Sequence, residues 1–227
     1  MTSKTEYAAV IVPPVVSIIG RPDCGKTTLL EKLIPELTNQ GYRVGTIKHH
    51  VHEFEMDKPG KDTWKHKQAG ARVVALSSPA GLGVIRDTEY DSPVAELVHR
   101  YFYDVDIVFT EGYKQEAMPK IEVYRSSVHP APLPERDATW TAMVSDTEVA
   151  DDLPHFQPDK ITDIAAFIIK TFIKPGPKAK ATLFVDGKNI PLNTFVEKFI
   201  RKSILGMTSS LKGCDKAMQI TITVRND

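Results

Sequence analysis

The chain has little of several things that would mark it at once. Of its 227 residues only two are cysteine, Cys24 and Cys214, too few for a secreted disulfide framework or a four-thiolate zinc site. It has no net charge, because 29 Lys and Arg balance 29 Asp and Glu. A dedicated nucleic-acid binder normally carries a basic excess, so that class is disfavoured. A long hydrophobic run is also missing. The apolar stretch from Ala8 to Gly20 is broken by Pro13 and Pro14, is too short to span a bilayer and has no basic leader. What is there is ordinary for a folded domain: 41% hydrophobic and 26% charged residues. Disorder would need fewer apolar residues and a strong net charge. A cytoplasmic protein that binds neither membrane nor nucleic acid is the expectation.

The zero total hides an asymmetry. From Lys174 onward there are ten Lys and Arg against four Asp and Glu, a net of +6 that leaves −6 for the rest. The change coincides with the Pro/Gly-rich stretch Lys174-Pro175-Gly176-Pro177-Lys178, a linker signal. The expected organisation is a main domain over 1–174, a linker over 175–180 and a small basic α+β module over 181–227.

In the main domain, Val15 to Ile19 reads as a buried strand. Leu29, Leu30, Leu33, Ile34 and Leu37 then recur at helical spacing until Gly41. Further strands are expected at Tyr42–Ile47, Arg72–Leu76, Leu82–Ile85, Asp106–Thr110, Ile121–Tyr124 and Thr141–Val144. Helices are expected near Asp62–Ala69, over Ser92–Tyr103 and along the stripe from Ile161 to Phe172. Such alternation predicts an α/β fold with a mostly parallel sheet, some antiparallel strands and flanking helices. In the tail, Asp186-Gly187 signals a hairpin, Leu192 to Ile200 a helix and Gln219 to Val224 a last strand.

The strongest motif is Gly20-Arg21-Pro22-Asp23-Cys24-Gly25-Lys26-Thr27-Thr28, which satisfies G-x-x-x-x-G-K-[ST] between an apolar strand and an amphipathic helix. Its glycines let successive backbone N–H groups turn inward onto phosphate oxygens, and the helix start adds its positive end. Lys26 is expected to reach the β- and γ-phosphates, and Thr27 to offer its hydroxyl to Mg²⁺. Cys24, beside Lys26 in this loop, is expected to react with alkylating reagents in the free protein and to be shielded by nucleotide.

Weaker constellations surround it. Glu111 ends an apolar strand where such proteins commonly hold the acid that orients Mg²⁺. His49, His50 and His52 stand beside Glu53, Glu55 and Asp57. They read as a transition-metal site, a switch loop near the γ-phosphate, or a plain polar loop. No Asn-Lys-x-Asp motif selects guanine; Asp146, after the strand Thr141–Val144, is the best substitute acceptor for a guanine edge, or else a turn residue. The residues alone leave the base open. No residue is singled out as catalytic.

Together these motifs resemble the molybdopterin-guanine dinucleotide biosynthesis adapter proteins, the MobB family. The matching pieces are Val16 to Gly20, the phosphate loop with Leu29, Gly45-Thr46-Ile47-Lys48-His49 and Phe54 to Asp62. Ala69-Gly70-Ala71, Thr110 to Lys114 and Pro119-Lys120-Ile121-Glu122 complete the set, which covers about Val15 to Lys174. The resemblance implies a P-loop NTPase-type fold that binds GTP and Mg²⁺, hydrolyses GTP slowly and forms a homodimer. It implies an adapter that assists a molybdenum cofactor guanylyltransferase in converting molybdopterin to its guanine dinucleotide. Asp57, Lys61 and Asp62 would lie at the nucleotide or partner face. The basic tail departs from the short members of the family. Two rivals stand beside this reading: a metal-insertion GTPase using the histidines, and a small-molecule kinase with a lid between Arg125 and Arg136.

Overall fold

In a computed structural model of the chain, the described residues are 13–50, 54–149, 152–173, 181, 183–185, 188–190, 192–214 and 220–224. They fall in two compact units, Pro13–Lys174 and one that includes Pro175–Asp227.

The larger unit is built on a six-stranded sheet. Its elements run β1 (Val15–Ile19), α1 (Lys26–Asn39), β2 (Val44–Lys48), α2 (Asp62–Gln68), β3 (Val73–Ser78), β4 (Gly81–Arg86), α3 (Val94–Tyr101), β5 (Ile107–Glu111), β6 (Lys120–Tyr124), β7 (Trp140–Ser145), β8 (His155–Phe156) and α4 (Ile161–Phe172). The sheet order is β2-β5-β1-β6-β7-β8, with every pairing parallel. Parallel neighbours require crossovers, and the central strands β1, β5, β6 and β7 are buried on both faces, while the edge strand β2 alternates buried and exposed positions. The expected antiparallel strands exist but stand apart: β3 and β4 form their own two-stranded sheet. The short β8 was not foreseen.

Strand alternation sorts the side chains into two layers. Val16, Ile18, Ile107, Phe109, Ile121, Val123, Ala142 and Val144 point to one face and meet Leu30, Leu33 and Leu37 of α1 and Ile164, Ala165 and Ile168 of α4. This is the main core, and truncating a fully buried member such as Leu33 to alanine would cost about 2–5 kcal/mol. The other face is unusual. Register aligns Ser17 with Thr110 and Lys120, and Ile19 with Glu122, and all are buried. The polar members are paired: Ser17 Oγ lies 2.8 Å from Thr110 Oγ1. Lys120 Nζ donates to the Glu116 carbonyl at 2.6 Å and to Thr139 Oγ1 at 2.5 Å, over the ring of Trp140.

The other unit contains β9 (Leu183–Val185) antiparallel to β10 (Lys188–Ile190), then α5 (Thr194–Ser209). The Asn193 side chain caps α5 by accepting from Val196 N–H at 2.9 Å. The turn residues Asp186 and Gly187, the stretch 174–180 and Gln219 lie outside the described residues. The expected last strand is not formed over 220–224, which carries no regular secondary structure. Among the described residues no helix is long and apolar enough to cross a membrane.

Candidate functional site

The site lies at the carboxyl edge of the parallel sheet, where β1 turns into α1. Gly20 leaves β1 at φ +149°, and a Cβ there would strike the Val123 carbonyl oxygen and lie 2.6 Å from Cys24 Sγ. Gly25 closes the turn at φ +93° and is the N-cap of α1. Both glycines are therefore required by geometry. No side chain caps α1 and no acidic residue occupies its first turn. Its leading amides are thus left for an anion. Lys26 Nζ closes the loop by donating to the Arg21 carbonyl at 2.7 Å, with Cys24 Sγ at 3.8 Å.

Cys24 departs from expectation. Its side chain is 1% exposed and belongs to the main core, so the thiol faces inward, away from the reagent. Arg21, Pro22, Asp23 and Thr28 share the loop and the first turn, with Asp23 in the left-handed region at φ +60°.

Thr27 and Glu111 are brought together as the motif reading expects. Thr27 Oγ1 donates to Glu111 Oε2 at 3.1 Å, and Lys48 Nζ donates to Glu111 Oε1 at 2.9 Å. Register explains this: Ile18 pairs with Glu111, which puts the carboxylate on the same face as the start of α1. A hydroxyl and a carboxylate side by side are hard oxygen donors of the kind Mg²⁺ takes.

Among the described residues, His49 and His50 do not join a cluster of ligands. His49 Nε2 lies 2.7 Å from Asp91 Oδ2, and its ring stacks on Tyr113 at 4.4 Å. Burial, with Asp91 and Glu116 nearby, pushes the Tyr113 hydroxyl above its usual pKa. His50 is exposed, while His52 and Glu53 lie outside the described residues. Among the described residues no group of three His, Cys, Asp or Glu is placed to ligate a metal. Asp57 uses Oδ1 on the Lys58 N–H at 2.8 Å, Lys61 stands at the N-cap position of α2 without a side-chain capping bond, and Asp62 pairs with Lys65 at 3.6 Å.

Asp146 follows β7 on the same edge. Its Oδ1 accepts the Ser126 N–H at 2.9 Å, and that bond above all holds the carboxyl below its usual pKa. Ser126 opens a segment that the sequence offered only as the lid of a rival kinase reading. His129 Nε2–H donates to the Pro22 carbonyl at 2.7 Å, the only polarity that contact allows, and Tyr124 Oη donates to the His129 carbonyl at 3.1 Å. Beneath it, buried Glu122 accepts from Leu133 N–H at 2.6 Å and Trp140 Nε1 at 3.2 Å, with Arg136 Nε at 3.3 Å. Arg136 is thus committed to a structural pair, which weakens the expected arginine-rich lid of a kinase.

Comparison with known proteins places the chain. The family described as molybdopterin guanine dinucleotide synthesis protein B, MobB, matches residues 15–146. A molybdopterin-guanine dinucleotide biosynthesis adapter protein from Haemophilus influenzae is 37% identical over 156 residues, covering 68% of this chain and 87% of the relative. A relative from Methanocaldococcus jannaschii is 26% identical over 236 residues and covers 92% of this chain, tail included, and 97% of its own length. A crystal structure of molybdopterin-guanine biosynthesis protein B superposes with a TM-score of 0.54 at 29% identity, covering 69% of this chain and 98% of that one.

Proposed function

The chain belongs to the MobB family, and on that premise we propose that it is a GTP-binding adapter in molybdenum cofactor biosynthesis. It assists the guanylyltransferase that converts molybdopterin to the guanine dinucleotide. The observation that carries this is the phosphate loop with an uncapped helix start and with Thr27 and Glu111 in contact beside it. In this reading the backbone of Gly20 to Thr28 binds the phosphates, Lys26 swings from the Arg21 carbonyl to the β- and γ-phosphates, and Thr27 and Glu111 hold Mg²⁺. The ion, when bound, neutralises phosphate charge. Asp146 would be the acceptor for the guanine edge, with its Oδ1 already holding Ser126.

No glutamine or arginine is placed by motif to orient a water on the γ-phosphate, so the chain hydrolyses GTP at roughly 10⁻⁴–10⁻² s⁻¹. The protein is a homodimer in this reading. Exposed Leu76, Leu82 and Val84 on the β3–β4 hairpin supply an apolar strand pair suited to a second copy. Light scattering at twice the chain mass tests that point. Calorimetry tests the main one: Mg-GTP should bind more tightly than Mg-ATP, and Lys26→Ala should weaken GTP at least about tenfold by removing a charge-assisted contact. Equal affinity for both nucleotides would remove the guanine assignment, and unchanged affinity in the variant would remove the loop. Turnover above about 1 s⁻¹ without a partner would contradict the adapter role.

A further inference from the structure

The segment between β6 and β7 does more than cross the sheet. Two tethers fix its first residues to the phosphate loop and its neighbourhood: Ser126 N–H on Asp146 and His129 Nε2–H on the Pro22 carbonyl. Between β6 and the first tether stands Arg125. A methyl group built on Gly25 would lie 3.5 Å from Arg125 Nη2, 3.7 Å from Nε and 3.9 Å from Cζ. The guanidinium therefore spreads over the last glycine of the loop, at the N-cap of α1.

That is a costly place for a cation on its own. The helix start carries about half a positive charge, and like charges there are unfavourable. Lys26 follows Gly25 directly, and the first turn of α1 holds no acid. Asp146 is close enough to feel Arg125, but its Oδ1 is already engaged by Ser126. Two cations and a helix N-terminus thus converge on one loop, an arrangement that a multiply charged anion would satisfy.

We propose that Arg125 is a nucleotide-binding residue of this chain, carried against the phosphate loop by the 125–129 segment and contributing its guanidinium to the polyphosphate. This rests on the phosphate-loop reading. Arginine suits the role because its planar fork can donate two parallel hydrogen bonds to phosphate oxygens, which lysine cannot. β6 holds the backbone before Arg125 and the two tethers hold it after, so less freedom is lost on binding.

Calorimetry with Mg-GTP on the full chain tests this in wild type, Arg125→Gln, Arg125→Lys and Lys26→Ala. The expected result is a loss of about tenfold or more in Arg125→Gln, a smaller loss in Arg125→Lys, and unchanged melting of the ligand-free proteins. Wild-type affinity in Arg125→Gln beside a weakened Lys26→Ala overturns the inference and leaves the loop reading standing. Wild-type affinity in both overturns the two together. Should Arg125→Gln melt early, Arg125→Lys decides: weakened binding supports the inference, and wild-type binding overturns it.

Discussion

Gly20 and Lys26 serve the same loop through opposite properties. Lys26 supplies charge on a movable stem, while Gly20 supplies the absence of a side chain between the Val123 carbonyl and Cys24 Sγ. Gly20→Ala must strain a left-handed backbone and push against a main-chain oxygen, so it should lower stability by about 1–3 kcal/mol. Urea unfolding measures it; an unchanged midpoint would mean that the loop relaxes freely. The motif made these positions legible because it ties residue type to spacing. It could not report which way a side chain turns. Cys24 was expected to face the reagent, yet the same tight turn drives its sulfur into the core under Gly20. Alkylation of Cys24 should accordingly be slow with or without nucleotide.

At the scale of elements, strands and helices with a clear period were readable, and their partners were not. The alternation in β3 and β4 marks strands but says nothing of which sheet they join, and they pair only with each other. β8 is two residues long and offers no period at all. Nothing in the residue pattern announced that Glu122 and Lys120 are buried, since charged residues are almost never fully buried unless paired. Here each is paired on the second face of the sheet, and Glu122 pins Leu133, Arg136 and Trp140 of the following segment. Glu122→Ala removes the acceptor of the Leu133 N–H and of Trp140 Nε1, and leaving a buried donor unsatisfied costs about 1–3 kcal/mol. Denaturant unfolding, with hydrogen exchange over 125–139, should show both the loss and a loosened segment. A variant as stable as wild type would show the network to be dispensable. The first tether, Ser126 N–H on Asp146, has a pH signature. Asp146 is held below its usual pKa, so its bond to Ser126 is fully present above about pH 4 and is lost as pH falls through the lowered value.

For the whole molecule, the charge change near Lys174 suggests two parts; the sequence reads a use for the first and none for the second. The −6 part carries the phosphate loop and the family match, and the +6 part aligns with the longer relative. We propose that the basic part is a separable module that engages the guanylyltransferase or the phosphorylated pterin. A chain ending at Lys174 should stay folded and bind GTP as the full chain does, while losing affinity for that partner. Insolubility of the shortened chain would instead make the tail part of the core. The adapter role is tested most directly by reconstitution. Purified guanylyltransferase, molybdopterin loaded with molybdate, and Mg-GTP are combined, and the guanine dinucleotide cofactor formed is measured with wild-type chain, with Lys26→Ala and with neither. The account predicts that wild type raises the yield of dinucleotide while Lys26→Ala leaves it near the level without adapter. Equal yields in all three would contradict it.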